Sequence, residues 1–130
     1  MAEIVVGFAE LLQAATCLAS DEVGHFVYIA GPRVADTLQV ARADITTIAK
    51  MPAVGVITAK QSATACTVLL LGEYAPGVAL TPNQRVWVGA NGYAALTRPA
   101  APAFLQVVGQ ALDEARVLVS PSRDLCKVIA

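Results

Sequence analysis

The sequence predicts an all-β fold, a small barrel or sandwich of about nine short strands preceded by an N-terminal arm or short helix. Short apolar runs recur at close spacing, and Gly, Pro, Asn or Asp bounds each run. Asn91-Gly92 separates two runs rich in β-forming residues and is the commonest central pair of a two-residue type I′ hairpin turn. Hydrophobic residues make up 56% of the chain and charged residues only 15%, which excludes disorder as its main state.

Residues 1–15 are predicted to form the arm or short helix. Some of their apolar side chains recur at helical spacing, but two consecutive β-branched residues and a Gly interrupt the apolar face, so that both a short helix and an extended arm stay open. A segment this apolar has to be buried, in a small domain often against a neighbouring subunit. The candidate contact residues in this segment are Ile4, Val5, Val6, Phe8, Leu11 and Leu12.

The β-domain is predicted over residues 16–121, with a C-terminal tail at 122–130. Its best delimited strands cover residues 25–30, 38–43, 53–59, 66–71, 85–89, 93–97, 104–112 and 115–119. One helical turn is expected within 44–50, because Ile45 and Ile48 lie three residues apart.

Gly, Pro and short polar pairs predict where these elements end or bend. Gly31-Pro32 is expected to end the strand at 25–30, and Met51-Pro52 to end the helical turn, because the residue before Pro is driven to extended geometry. Gly55 lies inside a strand and indicates a bulge or a close backbone approach. Asp113-Glu114 is expected to form the turn between the last two strands.

The charge distribution bears on partners and location. Nine basic and ten acidic residues give a net charge of −1 without a basic stripe, so no nucleic-acid partner is expected. No apolar run approaches the length of about 18 residues that a membrane-spanning helix needs, so no membrane partner is expected either. Glu3 and Glu10 bracket the apolar N-terminal run, and no Lys or Arg precedes it. We therefore expect a chain made in the cytoplasm without a secretory signal.

Residue types that support catalysis or metal binding are sparse. Three widely spaced cysteines, Cys17, Cys66 and Cys126, predict buried apolar side chains and not a disulfide framework. His25 is the single histidine and is expected to be an exposed residue at a strand edge, because no nucleophile motif accompanies it. No metal site, cofactor or enzymatic activity is predicted.

Trp87 and Tyr93 flank the predicted hairpin turn. They are candidate interface residues, either as a platform for a carbohydrate or protein partner or as a cross-strand aromatic pair that stabilises the hairpin. The second interpretation is favoured, because a binding platform usually needs more exposed aromatic residues than this chain has. Only two charges, Lys60 and Glu73, lie between Met51 and Gln84, which is typical of a sheet core or a subunit interface.

An ordered series of strand and turn motifs covers a little over half of the chain. It consists of MPAVGV at 51–56, TVLLLG at 67–72, LTPNQRVWV at 80–88, NG at 91–92, LTRP at 96–99, QVVGQAL at 106–112 and VLV at 117–119. This series resembles small β-rich structural proteins of tailed bacteriophages, namely head decoration (cement) proteins, head fibres and related tail-fibre modules. Asn83 stands where those proteins often have a Gly, and Asn also tolerates the left-handed backbone conformation. Residues 1–50 match no comparable pattern.

The resemblance implies a virion protein without catalytic residues. The leading hypothesis is a head decoration protein that binds and stabilises the assembled capsid through oligomeric β-domains. Its expected partners are its own copies, as a homo-oligomer and most simply a trimer, and the major capsid protein. Its expected location is the capsid exterior, after synthesis in the host bacterial cytoplasm. Two alternatives stay open, a trimeric module of a phage fibre or spike and a small ligand-binding β-barrel.

Overall fold

The computed structural model describes residues 10–100, 103–122 and 124–128 and confirms the all-β prediction. The described residues form eleven strands and one 3₁₀ turn, at Ile48–Lys50, and contain no α-helix. The strands are β1 Leu11–Thr16, β2 Phe26–Val34, β3 Thr37–Arg42, β4 Gly55–Lys60, β5 Ala65–Tyr74, β6 Arg85–Val88, β7 Ala94–Ala95, β8 Ala103–Leu105, β9 Val107–Ala111, β10 Val117–Val119 and β11 Cys126–Val128.

The first five strands close into a barrel. They are hydrogen-bonded in the order β1-β3-β2-β4-β5, and β1 closes the ring by pairing antiparallel with β5. The β1–β3 pairing is parallel, whereas the other barrel pairings are antiparallel. Closure removes the open edges that a sheet would otherwise expose to other chains.

A second layer continues from the end of β5. Its last three residues, Gly72–Tyr74, pair with β10, and the order then runs β10-β9-β6-β7. Gly72 has a φ of +144°, a conformation that side chains other than Gly rarely adopt, at the point where β5 passes from β1 to β10. β8 and β11 pair separately as a two-stranded sheet.

Two buried clusters result from this arrangement. The smaller cluster fills the barrel, with side chains contributed by all five strands. The larger cluster lies between the outside of β2, β4 and β5 and the inner face of the second layer. Neighbouring residues on β5 separate accordingly, because Val68 belongs to the barrel interior and Leu69 to the larger cluster. A strand buried on both faces reads as a continuous apolar run, as the middle of this sequence does.

Gln106 occupies the break between β8 and β9 and is only 1% exposed. Its Oε1 accepts a hydrogen bond from the Ala53 N–H at 2.8 Å, and its Nε2 donates to the Ala53 carbonyl at 2.8 Å. Nε2 also donates to the Ser122 carbonyl at 2.7 Å. One buried side-chain amide therefore joins the segment around Gln106 to two other segments of the chain, at Ala53 and at Ser122.

Several expectations from the sequence are confirmed. The 3₁₀ turn lies within residues 44–50, and Met51 after it is extended. Gly55 makes the expected close approach, because a Cβ there would meet the Leu69 carbonyl oxygen. Asp113 accepts hydrogen bonds from the Ala115 and Arg116 N–H groups, which forms the predicted turn. Asn83 has a φ of +70°, the left-handed conformation expected of it.

Other local expectations are wrong. β2 does not end at Gly31-Pro32 but continues to Val34, with irregular register against β3. Leu11–Thr16 forms a barrel strand, which excludes the helical alternative for that part of residues 1–15; residues 1–9 lie outside the described residues. The predicted tail at 122–130 contains a strand, β11.

The hairpin between β6 and β7 is confirmed, but its turn differs from the prediction. Gly92 N–H donates to the Gly89 carbonyl at 3.1 Å, and Gly89 N–H donates to the Tyr93 carbonyl at 2.8 Å. Gly92 has a φ of +81°, whereas Asn91 is not in the left-handed region that a type I′ turn requires. The connection is thus a three-residue loop, 90–92, that ends in a left-handed Gly.

We predict that Gly55→Ala lowers the free energy of unfolding by about 1–3 kcal/mol, because the new methyl group has no room. Its Cβ would meet backbone atoms of Leu69 and approach Val68 Cγ1 to 2.7 Å. Gly31→Ala is the matched control, since it meets only the movable Gln39 side chain, at 3.3 Å. Urea denaturation of both variants measures the difference, and equal stabilities would contradict the close approach.

We predict that Gln106→Leu lowers the free energy of unfolding by about 3 kcal/mol, because it leaves backbone groups of Ala53 and Ser122 without their partners. Gln110→Leu serves as the control, because Gln110 is exposed and bonds only the exposed Asn83 side chain. Chemical denaturation of the two variants tests this. A loss for Gln106→Leu no larger than that for Gln110→Leu would show that the buried amide is not a structural link.

Candidate interaction surfaces

The predicted N-terminal contact residues fall into two groups. Ile4, Val5, Val6 and Phe8 lie outside the described residues. Leu11 and Leu12 open β1 and are 55% and 48% exposed, respectively. Leu71, directly opposite Leu11 on β5, is 42% exposed. Leu11, Leu12 and Leu71 form an apolar surface that we call the Leu11 patch.

Strand pairing accounts for the Leu11 patch. A register shift between Leu11 and Leu12 interrupts the regular alternation of β1, and both neighbouring side chains are exposed. Glu10 lies against Gly72, where a Cβ would come within 3.0 Å of Glu10 Cγ. The patch is thus adjacent to the point where the apolar residues 1–9 join the barrel. The register of β1 on β5 brings in Leu71, which sequence periodicity alone did not identify.

The structure does not join Trp87 and Tyr93 in the expected cross-strand aromatic pair. Trp87 pairs with Ala95, whereas Tyr93 directly follows the 90–92 loop and contacts the ring of His25 at a centroid separation of 4.4 Å. The Tyr93 hydroxyl donates a hydrogen bond to Glu22 Oε2, which raises the pKa of Tyr93. Tyr93 therefore ties the hairpin loop to the turn before β2.

His25 is buried, at 3% exposure, and not the exposed strand-edge residue expected from the sequence. Its ring Nδ1 accepts a hydrogen bond from the Glu22 backbone N–H at 2.9 Å, and the His25 backbone N–H donates to the Glu22 carbonyl at 3.1 Å. Burial, followed by the nearby positive charge of Arg42, lowers the pKa of His25. The neutral ring is the form that can accept the Glu22 hydrogen bond, which gives His25 a structural role in this turn.

The outer face of the second layer carries a concave surface that we call the Trp87 trough. Its central cavity, of about 330 Å³, lies between β6, β9 and the β8–β11 pair. The central cavity is lined by Arg85, Trp87, Arg98, Leu105, Val107, Ser122, Asp124 and Leu125. A cavity of about 310 Å³ shares Arg85 and Val107 with it, and one of about 290 Å³ shares Ser122. Both further cavities therefore adjoin the central one.

Cys17 and Cys66 are buried, as predicted, and both are free thiols, while the side chain of Cys126 lies outside the described part of the structure. Cys17 and Cys66 belong to the cluster inside the barrel. Burial and the adjacent Cys17 raise the pKa of Cys66 to about 12. A thiol with so high a pKa is a poor nucleophile at neutral pH, which agrees with a packing role for Cys66.

Comparison of the chain with protein-family models, curated proteins and solved structures finds no match. Within the described residues, no group of three or more His, Cys, Asp or Glu side chains could hold a metal ion. No helix in the same part of the chain is long and apolar enough to cross a membrane.

We predict that folding stability falls as the pH drops below about 6.5, the ordinary pKa of histidine. Because the folded-state pKa of His25 is lowered, the unfolded chain binds its proton first. The stabilising contribution is therefore complete above about 6.5 and is lost as the pH falls through the folded-state pKa.

The test compares wild type with His25→Asn by urea denaturation between about pH 5 and 8. The Asn carbonyl can accept the Glu22 N–H but does not titrate, so the pH dependence should disappear from the variant. His25 is the only histidine, which makes the comparison specific. The same pH dependence in both proteins would contradict the assignment.

Proposed function

We propose that this protein is a bacteriophage head decoration protein, without catalytic activity of its own, that binds the exterior of the assembled capsid as a homo-oligomer. The observation that carries the proposal is the Leu11 patch, with its three exposed leucines beside the junction with residues 1–9. The segment 1–9 is itself apolar in sequence. Contiguous exposed apolar surface of this kind marks protein–protein contacts. The phage-like order of motifs over 51–121 supplies the nature of the partner, the major capsid protein.

The proposed mechanism is stabilisation by mass action. A protein that binds only the assembled shell lowers the free energy of that shell by its own binding free energy. Many copies that each form a modest interface therefore give a large total effect. The closed barrel suits this role, because barrel closure limits edge-to-edge pairing between copies and leaves specific surfaces to direct assembly.

We predict that deletion of residues 1–9 abolishes binding to purified capsids that lack this protein, while the β-domain stays folded. A longer deletion would remove Leu11 and the start of β1 and so damage the barrel. The measurement is co-sedimentation with capsids of the phage that encodes the chain, with circular dichroism as the folding check. Full binding by the folded, truncated protein would contradict a contact role for this segment.

We also predict that the double variant Leu11→Ser, Leu71→Ser weakens capsid binding at least about tenfold, through loss of buried apolar area. Leu112→Ser is the matched control, because Leu112 is 42% exposed like Leu71 but lies in the β9–β10 connection. Equal binding of the two variants would exclude the Leu11 patch as the contact surface.

The number of copies per particle separates decoration from a fibre or spike. Quantitative mass spectrometry of purified particles should give a ratio to the major capsid protein near one, or a large simple fraction of it. A few tens of copies or fewer would assign the chain to a fibre or spike. Its absence from particles would overturn the virion proposal.

A further inference from the structure

We propose that the Trp87 trough binds an extended peptide segment of a partner protein in which acidic and apolar side chains alternate. The inference is independent of the decoration function and of the Leu11 patch. It is based on three features of the trough, namely its charge, its apolar lining and the two further cavities that adjoin it.

The charge of the trough is positive, in a chain whose net charge is −1. Arg85 and Arg98 both line the central cavity and are exposed. Within the part of the chain that the structure describes, the one ion pair joins Arg116 to Glu73, so neither trough arginine is neutralised there by a carboxylate. Asp124 is the single acidic residue in the lining. Two guanidinium groups against one carboxylate favour an anionic ligand, and guanidinium groups bind carboxylates through paired hydrogen bonds.

The lining between the charges is apolar. Trp87 is partly buried on β6, opposite Val107 on β9, and Leu105 and Leu125 complete the adjoining wall. An indole ring next to arginines offers stacking and apolar contact area to a side chain that lies between two carboxylates. The trough therefore fits a ligand that carries apolar groups as well as negative charge.

The extent of the trough, over three adjoining cavities, favours an extended chain over a compact molecule. The central cavity adjoins two further cavities, one lined in part by Leu118 and Ser120 and the other by Pro52 and Leu70. Extended peptides are recognised in this way, with pockets that receive alternate side chains.

A single-stranded nucleic acid is also anionic and could stack a base on Trp87, but the trough suits it less well. Binding of a phosphate backbone usually needs several cations along the strand, and the central lining has two together with an opposing Asp124. Trp87 is moreover the single aromatic residue of that lining. The observations therefore favour the peptide.

The fluorescence of Trp87 provides a specific assay, because it is the only Trp in the chain. The probe is a capped peptide of about eight residues in which Glu and Leu alternate, a length that suits groove recognition. The comparison probes are the same peptide with Lys for Glu and a thymidine oligonucleotide of similar length. The Glu peptide should cause a saturable change in emission that weakens as salt is added, and the Lys peptide should not.

Two variants test the residues. The double variant Arg85→Gln, Arg98→Gln should weaken binding of the Glu peptide at least about tenfold, as expected for loss of charge-assisted hydrogen bonds. Arg33→Gln is the matched control, an exposed arginine on β2, and should leave the affinity unchanged. Circular dichroism verifies that both variants are folded.

Four outcomes would overturn the proposal. These are no saturable response to the Glu peptide, an equal response to the Lys peptide, an affinity that the double variant leaves unchanged, and equal weakening by Arg33→Gln. Tighter binding of the oligonucleotide than of the Glu peptide would replace the peptide with a nucleic acid as the ligand.

Discussion

Strand β5 pairs with three other strands along its ten residues, and both layers of the structure depend on it. Its first part lies between β1 and β4 and closes the barrel, while Gly72–Tyr74 begins the second layer through β10. One face of β5 fills the barrel, and the other packs into the cluster between the layers. A change of register on β5 would exchange these faces and disturb both clusters together.

This double burial explains why the middle of the chain is so poor in charge. The two charged residues between Met51 and Gln84 lie at or near strand ends and are partly exposed. Lys60 is the last residue of β4, and Glu73 precedes the last residue of β5. Lys60 Nζ donates hydrogen bonds to backbone carbonyls of the loop before β2, one of them that of Asp21 at 2.6 Å, and Glu73 pairs with Arg116. The apolar run around them is accounted for by the protein's own core. The case for an interface consequently depends on the exposed leucines and on the trough, not on composition.

The sequence was most informative where local chemistry decides the structure. The Asn91-Gly92 pair indicates the hairpin because its effect acts within a few residues. Gly55 indicates a close approach because it lacks a side chain, although its close neighbour, Leu69, lies on a different strand. Pro32 does not end strand β2 as predicted, because a proline weakens a strand only where its missing N–H would have paired with a neighbouring strand. Around Pro32, β2 pairs with β3 alone, and the register shift there tolerates a residue without an N–H. Local sequence patterns do not predict the hydrogen-bond partners of His25 and Gln106. The partner of His25 depends on the geometry of its turn, and the partners of Gln106 lie on segments that meet only in the folded chain.

The two candidate surfaces differ in chemistry, and this difference limits how copies could assemble. A contact of the Leu11 patch with itself would be isologous and would give a two-fold dimer. A closed ring such as a trimer needs each copy to present two different surfaces that fit each other. The patch is purely apolar, whereas the trough combines apolar walls with two arginines, so the trough is not a full complement of the patch. A trimer that uses the Leu11 patch would therefore require the patch to meet a third surface on the neighbouring copy. The trough would then remain free for an acidic segment from another protein.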